Sequence, residues 1–584
     1  MEGTSPATKA PPSSAAIPRA VHSLTLSSGA VFAASLAVQL IGLIGSIFLA
    51  KQIGINTAGQ ALLGTAQLFL LIGSSINGVG DLRLGTAYTY YLARGKPVTD
   101  NTSVYLVVRM MMVAAAGLVL FVLAPISVFG ASPFASGSGE LTSLGIFLTL
   151  PILWSFSTVY NQMFIGLGNS LKAQYPGLVE ALARLPILIY VSYHYHSVLA
   201  ITIAYAVGAA ASALFSLPAI LPRLRAIRWM EALRLFRFAW PLMGSLMLNY
   251  FVTNMIPLII SAAPGLGRAQ LSIFLAANGW RILVLSLPAA VTTPLFPYLA
   301  GLHQREEYHE VRRGTWQALR YSAMLLVPGV VGLVTYRYNF LNVFQNRAYA
   351  GPGALPLAIL VVSALPLALS QIIQSSINAI GRQRLELYIT STSVGVMFLA
   401  VLLLMPPWGI FPIYPGIVAG AVAVLISSVA ALALNTYFME TLIRVHIRPW
   451  PIVAITASAA GSFASLWLLN HLQLFPVSTW YQLLSAVVIG FVVYFAILAA
   501  IGELTRNDVR RICSSVGVPR GLYETVARLC WKESAPDLEP IDHRLAPGLR
   551  STELPETFSG TREMPEIGPL PPEEPPEPPE EPRE

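Results

Sequence analysis

Within the apolar run FLAANGWRILVLSLPAAV at residues 274–291 stands Arg281, with no carboxylate in the run to neutralise it. An arginine at mid-bilayer depth costs at least about 2.5 kcal/mol on insertion scales, so such a residue faces a watery cavity or a partner. Arg281 lies about twelve residues into its run and Arg184 about ten into another, depths from which neither reaches the interface easily at 1.5 Å per residue. Glu180 precedes Arg184 by one helical turn on the same face, the spacing of an i,i+4 ion pair. Arg109 sits about six residues from the start of its run, within snorkelling reach of the headgroups. Amides accompany these cations: Asn161 and Gln162, Asn249 and Asn254, and Gln371, Gln374 and Asn378, the last three at spacings that share one helix face. Singly, such amides join helices; together they predict a polar interior. Arginine and amides with few carboxylates suit an anion, because guanidinium offers fixed donors to phosphate oxygens. A diphosphate in bare hydrocarbon would face a Born penalty on the order of 20 kcal/mol, most of which a wet cationic passage removes.

The elements that must position these residues are membrane helices. The 584-residue chain is 55% hydrophobic and only 11% charged, with a mean hydropathy of +0.64. Apolar windows long enough to cross about 30 Å of hydrocarbon recur at 28–50, 60–80, 103–129, 142–166, 174–193, 197–221, 238–261, 269–297, 318–341, 354–379, 387–405, 414–436, 450–470 and 480–502. They are too long for barrel strands, and a bilayer leaves no other way to satisfy the backbone, so the expected fold class is an all-α polytopic membrane protein of about 14 transmembrane helices. The even-numbered loops hold seventeen Lys and Arg, against Lys51, Arg268, Arg337 and Arg347 in the odd ones. That asymmetry predicts even loops and both termini in the cytoplasm. The net charge of +8 is accordingly a topology signal directed at anionic lipid headgroups, with no nucleic acid implied.

Two matches suggest an internal repeat: TAYTYYLA at 86–93 with TPLFPYLA at 293–300, and GLGNSLKAQY at 166–175 with AIGRQRLELY at 379–388. They predict two six-helix lobes, 28–221 and 238–436, related by an axis along the membrane normal with the site between them. A polar segment at 1–27 precedes the first lobe, an amphipathic cytoplasmic helix at 222–237 joins the two, and helices 13 and 14 occupy 450–502. Short cytoplasmic helices are expected over 503–533, and a disordered Pro/Glu-rich tail over 534–584. Cys513 and Cys530 both fall in this cytoplasmic region, so no disulfide framework is implied. His194 and His196, set among Tyr190, Tyr193 and Tyr195, read as an interfacial aromatic belt. No metal-ligand cluster, phosphate-cradling glycine loop or paired nucleophile occurs, so neither catalytic residues nor a cofactor is expected.

The stretch LIGSIFLAKQIGINTAGQALLGTAQLFLLIGSSINGVGDLRLGTAYTYYLARG, the second-half opening FAWPLMGSLMLNY, the exit LFPYLAGL and the terminal GELTRNDVRRI resemble polysaccharide flippases of the Wzx type. These belong to the multidrug/oligosaccharidyl-lipid/polysaccharide exporter superfamily and serve O-antigen and exopolysaccharide synthesis. The resemblance covers roughly residues 25–513. It implies two lobes around a central cavity that opens alternately to each side. It further implies movement of a lipid-diphosphate-linked oligosaccharide across the cytoplasmic membrane, with Arg281 where relatives commonly carry a cavity cation. The alternative is a cation-coupled multidrug antiporter of the same superfamily, disfavoured because spans one, seven, eight and ten lack Asp and Glu. A membrane glycosyltransferase or polymerase fits less well, since the longest outward loops, around 130–141 and 342–353, hold no carboxylate pair. A contact with polysaccharide assembly proteins would rest on the tail alone, which reads first as a passive acidic segment.

Overall fold

A computed structural model describes residues 16–93, 98–123, 138–225, 229–262, 266–382, 384–406, 409–413, 415–445, 449–472, 477, 479–506 and 508–509. The Pro/Glu-rich tail, both cysteines and most of the expected short helices at 503–533 lie outside these residues. In chain order the helices are α1 (Ala16–Gln52), α2 (Thr57–Val79), α3 (Leu84–Ala93), α4 (Val98–Leu123), α5 (Ser138–Gly166), α6 (Ser170–Ala173), α7 (Tyr175–His194) and α8 (Val198–Ile220). There follow α9 (Trp229–Ala262), α10 (Gly267–Gln304), α11 (Tyr308–Thr335), α12 (Arg337–Phe344), α13 (Arg347–Ala379), α14 (Arg384–Leu404), α15 (Gly416–Phe438), α16 (Pro449–His471) and α17 (Trp480–Ala500). No strand occurs among the described residues.

Twelve of these helices are long and apolar enough to cross a membrane. The other two expected spans, the fifth and seventh, fall on α7 and α9, and α7 carries Glu180 and Arg184 at its centre. The protein is an all-α, multi-pass membrane protein. Its outer surface displays large apolar side chains such as Leu118, Leu214 and Val492, each more than 60% exposed, as a surface solvated by acyl chains should. Polar caps define several helix starts. Asn56 accepts from the Gly59 amide ahead of α2, Ser197 from Ala200 ahead of α8, and Thr479 with Gln482 forms a capping box at α17.

Several boundaries differ from expectation. Residues 342–353, expected as a loop, belong to α12 and α13, because Asn346 caps the second helix by accepting from the amides of Ala348 and Tyr349. Residues 229–237 are not a separate surface helix but the first turns of a continuous α9; Ala232 and Leu235 are buried there while Met230 and Leu233 are exposed. Arg312 and Arg313, expected in the loop before the ninth span, lie within α11.

The helices α9, α10, α11, α13, α14 and α15 begin 209 to 218 residues after α1, α2, α4, α5, α7 and α8. One difference stands out in this correspondence: α10 runs unbroken to Gln304, whereas its counterpart breaks into α2 and α3 across Gly80–Arg83. Leu82 and Arg83 adopt positive φ of 44° and 60° there, a left-handed conformation disfavoured for residues with a Cβ. Early helices pack mainly on one another, through α5 with α8, α7 with α8 and α1 with α7; later ones do so through α10 with α13 and α13 with α15. The two sets meet chiefly where α10 lies along α2 and α1, and α16 and α17 pair with each other against α11.

Candidate functional site

The break after α2 organises one end of the bundle. Asp81, just past the helix, accepts from Arg109 on α4 at 2.5 Å and from the Tyr105 hydroxyl. The other Arg109 nitrogen donates to the Asn77 side chain at 2.6 Å, its backbone carbonyl at 3.1 Å and Thr158 at 3.2 Å. Arg109 is only 1% exposed, so it does not snorkel as its position along α4 suggests. It is neutralised inside the protein by a carboxylate from the turn after α2. Two residues on, Arg83 reaches out of the same turn to Glu386 at the start of α14, at 3.3 Å, and Asn378 at the end of α13 donates to the other Glu386 oxygen at 2.8 Å. This contact joins early and late helices.

The opposite end is closed by different chemistry. Arg268, at the start of α10, donates to Thr65 of α2 at 3.0 Å and to Glu140 of α5. Asn346, besides capping α13, donates its amide to the carbonyls of Ala50 and Gly54 at the end of α1, at 2.7 and 3.2 Å. The backbones of α2 and α10 touch there: a Cβ at Gly64 would lie 1.9 Å from the Arg268 carbonyl oxygen.

Between the two ends lie the remaining candidates. Arg184 pairs with Glu180 at 3.4 Å, as its spacing predicts, and its guanidinium also covers the Tyr205 ring of α8 at 4.5 Å. Arg281 is half-buried, donates to Asn278 one turn earlier at 3.2 Å, and has no carboxylate within ion-pair distance among the described residues. Its buried Nε lacks a partner. Gln371 is exposed and Gln374 half-buried on α13, while Asn254 on α9 is buried. The Asn249 side chain lies outside the described residues. Gln162 accepts from Thr89, tying α5 to α3, and Asn161, with its amide turned, donates to the Ser157 and Ala173 carbonyls. The candidates therefore form separate local contacts along the bundle.

Sequence reasoning missed Asp81, Arg83, Glu386, Glu140 and Arg268. It also missed the buried cluster in which Arg320 of α11 holds Glu503 at 2.6 Å and Asp508 at 2.9 Å, fastening the chain beyond α17. A signal existed in GDLRLG and GELTRND, where acidic residues stand directly at span ends. Asp81, Glu140, Glu180, Glu386, Glu503 and Asp508 all face an arginine.

Residues 94–351 match the family model described as polysaccharide biosynthesis protein. The chain is similar to the probable flippase AglR of Haloferax volcanii, 22% identical over 292 residues. That match spans 49% of this chain and 55% of the relative, about half the length of each. Among solved structures, the lipid II flippase MurJ in an inward closed conformation superposes with a TM-score of 0.67 at 12% identity, covering 81% of this chain and 98% of MurJ. The MATE multidrug transporter DinF-BH gives 0.55 at 15% identity, covering 74% and 97%. An inward-facing MATE transporter of the MOP superfamily gives 0.54 at 14%, covering 71% and 98%. The fold is thus one shared by MurJ and the MATE transporters, and the family match and the flippase relative agree with the resemblance read from the sequence.

Proposed function

We propose that this protein is a flippase that carries a lipid-diphosphate-linked oligosaccharide from the inner to the outer leaflet of the cytoplasmic membrane for cell-surface polysaccharide synthesis. It is a transporter and catalyses no covalent chemistry. Its two six-span lobes, within α1–α8 and α9–α15, alternate between states open to either side, and the glycan headgroup passes between them while the lipid tail stays in the bilayer. The asymmetry of the basic loops supports an orientation with Arg83 and both termini on the cytoplasmic side and Arg268 on the outer side.

The observation that carries this reading is the closure of the lobes at both ends by separable polar contacts. Arg83 with Glu386 and Asn378 closes one end; Arg268 and Asn346 close the other. Contacts of this kind exchange water for protein partners at modest free-energy difference, about 0 to 1 kcal/mol for a half-exposed ion pair, so neither end is locked. The MurJ likeness and the flippase relative support the same reading.

Arg281 is the residue best suited to meet the diphosphate. Arg109 and Arg184 are neutralised by Asp81 and Glu180, which leaves Arg281 with undirected donors at mid-depth. The carboxylates a cation-driven drug antiporter would use are each engaged by arginine, which disfavours that alternative. The test is complementation of a flippase-deficient strain, with membrane insertion checked. Arg281→Ala should reduce surface polysaccharide about tenfold or more, the size of one lost charge-assisted hydrogen-bonding partner, while Arg281→Lys retains part of the function. Full export by Arg281→Ala would remove Arg281 from the passage.

A further inference from the structure

Below the contact of Asn346 with α1 lies a cavity of about 60 Å³ between the two sets of helices. Its polar lining comes from Ser46 of α1, Gln67 of α2 and Tyr205 of α8 on one side and from Gln345 and Tyr349 on the other, with Gly279 of α10 giving it room. No charged side chain lines it. Both glutamines have a buried carboxamide oxygen without a hydrogen-bond partner, and Gln345 is only 2% exposed. Native proteins rarely leave such oxygens unsatisfied, and those that persist mark a water or ligand position. The Tyr349 hydroxyl is shared weakly with Ser272 at 3.3 Å, and Arg184 holds the Tyr205 ring from behind.

We infer that this cavity is the sugar-binding subsite of the passage, used as the glycan approaches the outer side. The chemistry points to a neutral polyhydroxyl ligand. Carboxamides both donate and accept, as sugar hydroxyls do, and tyrosine offers an apolar ring face with a polar tip. An anion would find no cation among the lining residues, and a metal cation no carboxylate. In the closed arrangement the space admits only a few waters, so a sugar ring enters as the two sets of helices part at the Asn346 contact. The hydroxyls then satisfy the two orphaned oxygens. The inference rests on the flippase reading and adds to it a place where the glycan, and not the diphosphate, is recognised.

The experiment uses the full chain in proteoliposomes and compares two probes: undecaprenyl diphosphate, and undecaprenyl diphosphate bearing a neutral disaccharide. The readout is the ratio of their translocation rates. The wild type should favour the glycosylated lipid about tenfold, and Gln67→Leu and Gln345→Leu should each bring that ratio towards one. Replacing an unpartnered amide with Leu should leave the thermal unfolding midpoint unchanged or higher, so an early-unfolding variant shows a structural role and overturns the inference. Variants that keep the wild-type ratio overturn it too, while leaving the flippase reading intact. If the wild type moves neither lipid, the flippase reading itself falls and takes the subsite with it.

Discussion

Arg109 and Arg281 show how differently a buried guanidinium can be accommodated. At Arg109, Asp81, Asn77 and Thr158 accept from the two terminal nitrogens, and Tyr105 donates to the same carboxylate oxygen of Asp81. Removing one member of a buried pair leaves a naked charge, which costs about 3 to 5 kcal/mol, whereas removing both can be nearly neutral. Asp81→Asn should therefore lower the unfolding midpoint of the detergent-solubilised protein sharply. The double replacement Asp81→Leu with Arg109→Met should recover most of that loss. Equal midpoints for Asp81→Asn and wild type would show that the pair is dispensable. Depth along a single helix could place Arg109 near the interface but could not reveal Asp81, whose approach depends on a turn between α2 and α3. The Glu180–Arg184 pair was legible because both residues share one helix and their spacing alone brings them together.

Among the elements, helix count and course followed from hydropathy because a bilayer admits few alternatives, so the spans matched fourteen helices of the structure. What hydropathy could not give was where helices continue beyond the hydrocarbon or break within it. The amphipathic start of α9 reads as a surface helix because its polar face and its continuity with the span leave the same sequence pattern. The break at Gly80–Arg83 lacked a proline to announce it and depends on two residues held at positive φ. A left-handed conformation costs a residue with a Cβ roughly 1 to 2 kcal/mol, a strain glycine does not feel. Both Arg83→Gly and Arg83→Ala lose the bond to Glu386, so they should differ by that backbone contribution alone. The glycine variant is expected to be the more stable by about 1 kcal/mol in thermal or denaturant unfolding. An alanine variant of equal stability would mean the turn relaxes once the side chain is gone.

For the molecule as a whole, the two halves are joined by side-chain contacts at both ends, with close backbone approach added at the Arg268 end. The sequence suggested two matching halves but not which residues hold them together, since every such contact spans more than a hundred residues of chain. At the Arg268 end the fit between α2 and α10 depends on Gly64 having no side chain. One added methyl there acts as a doorstop. Gly64→Ala should keep the mouth at the Arg268 end ajar, so that a cysteine introduced at Ser46 reacts with an impermeant thiol reagent about tenfold faster than in the parent, the rate expected from a tenfold shift in population. On the proposed flippase reading, a carrier jammed in this way would unload once and then fail to reset for its next passenger.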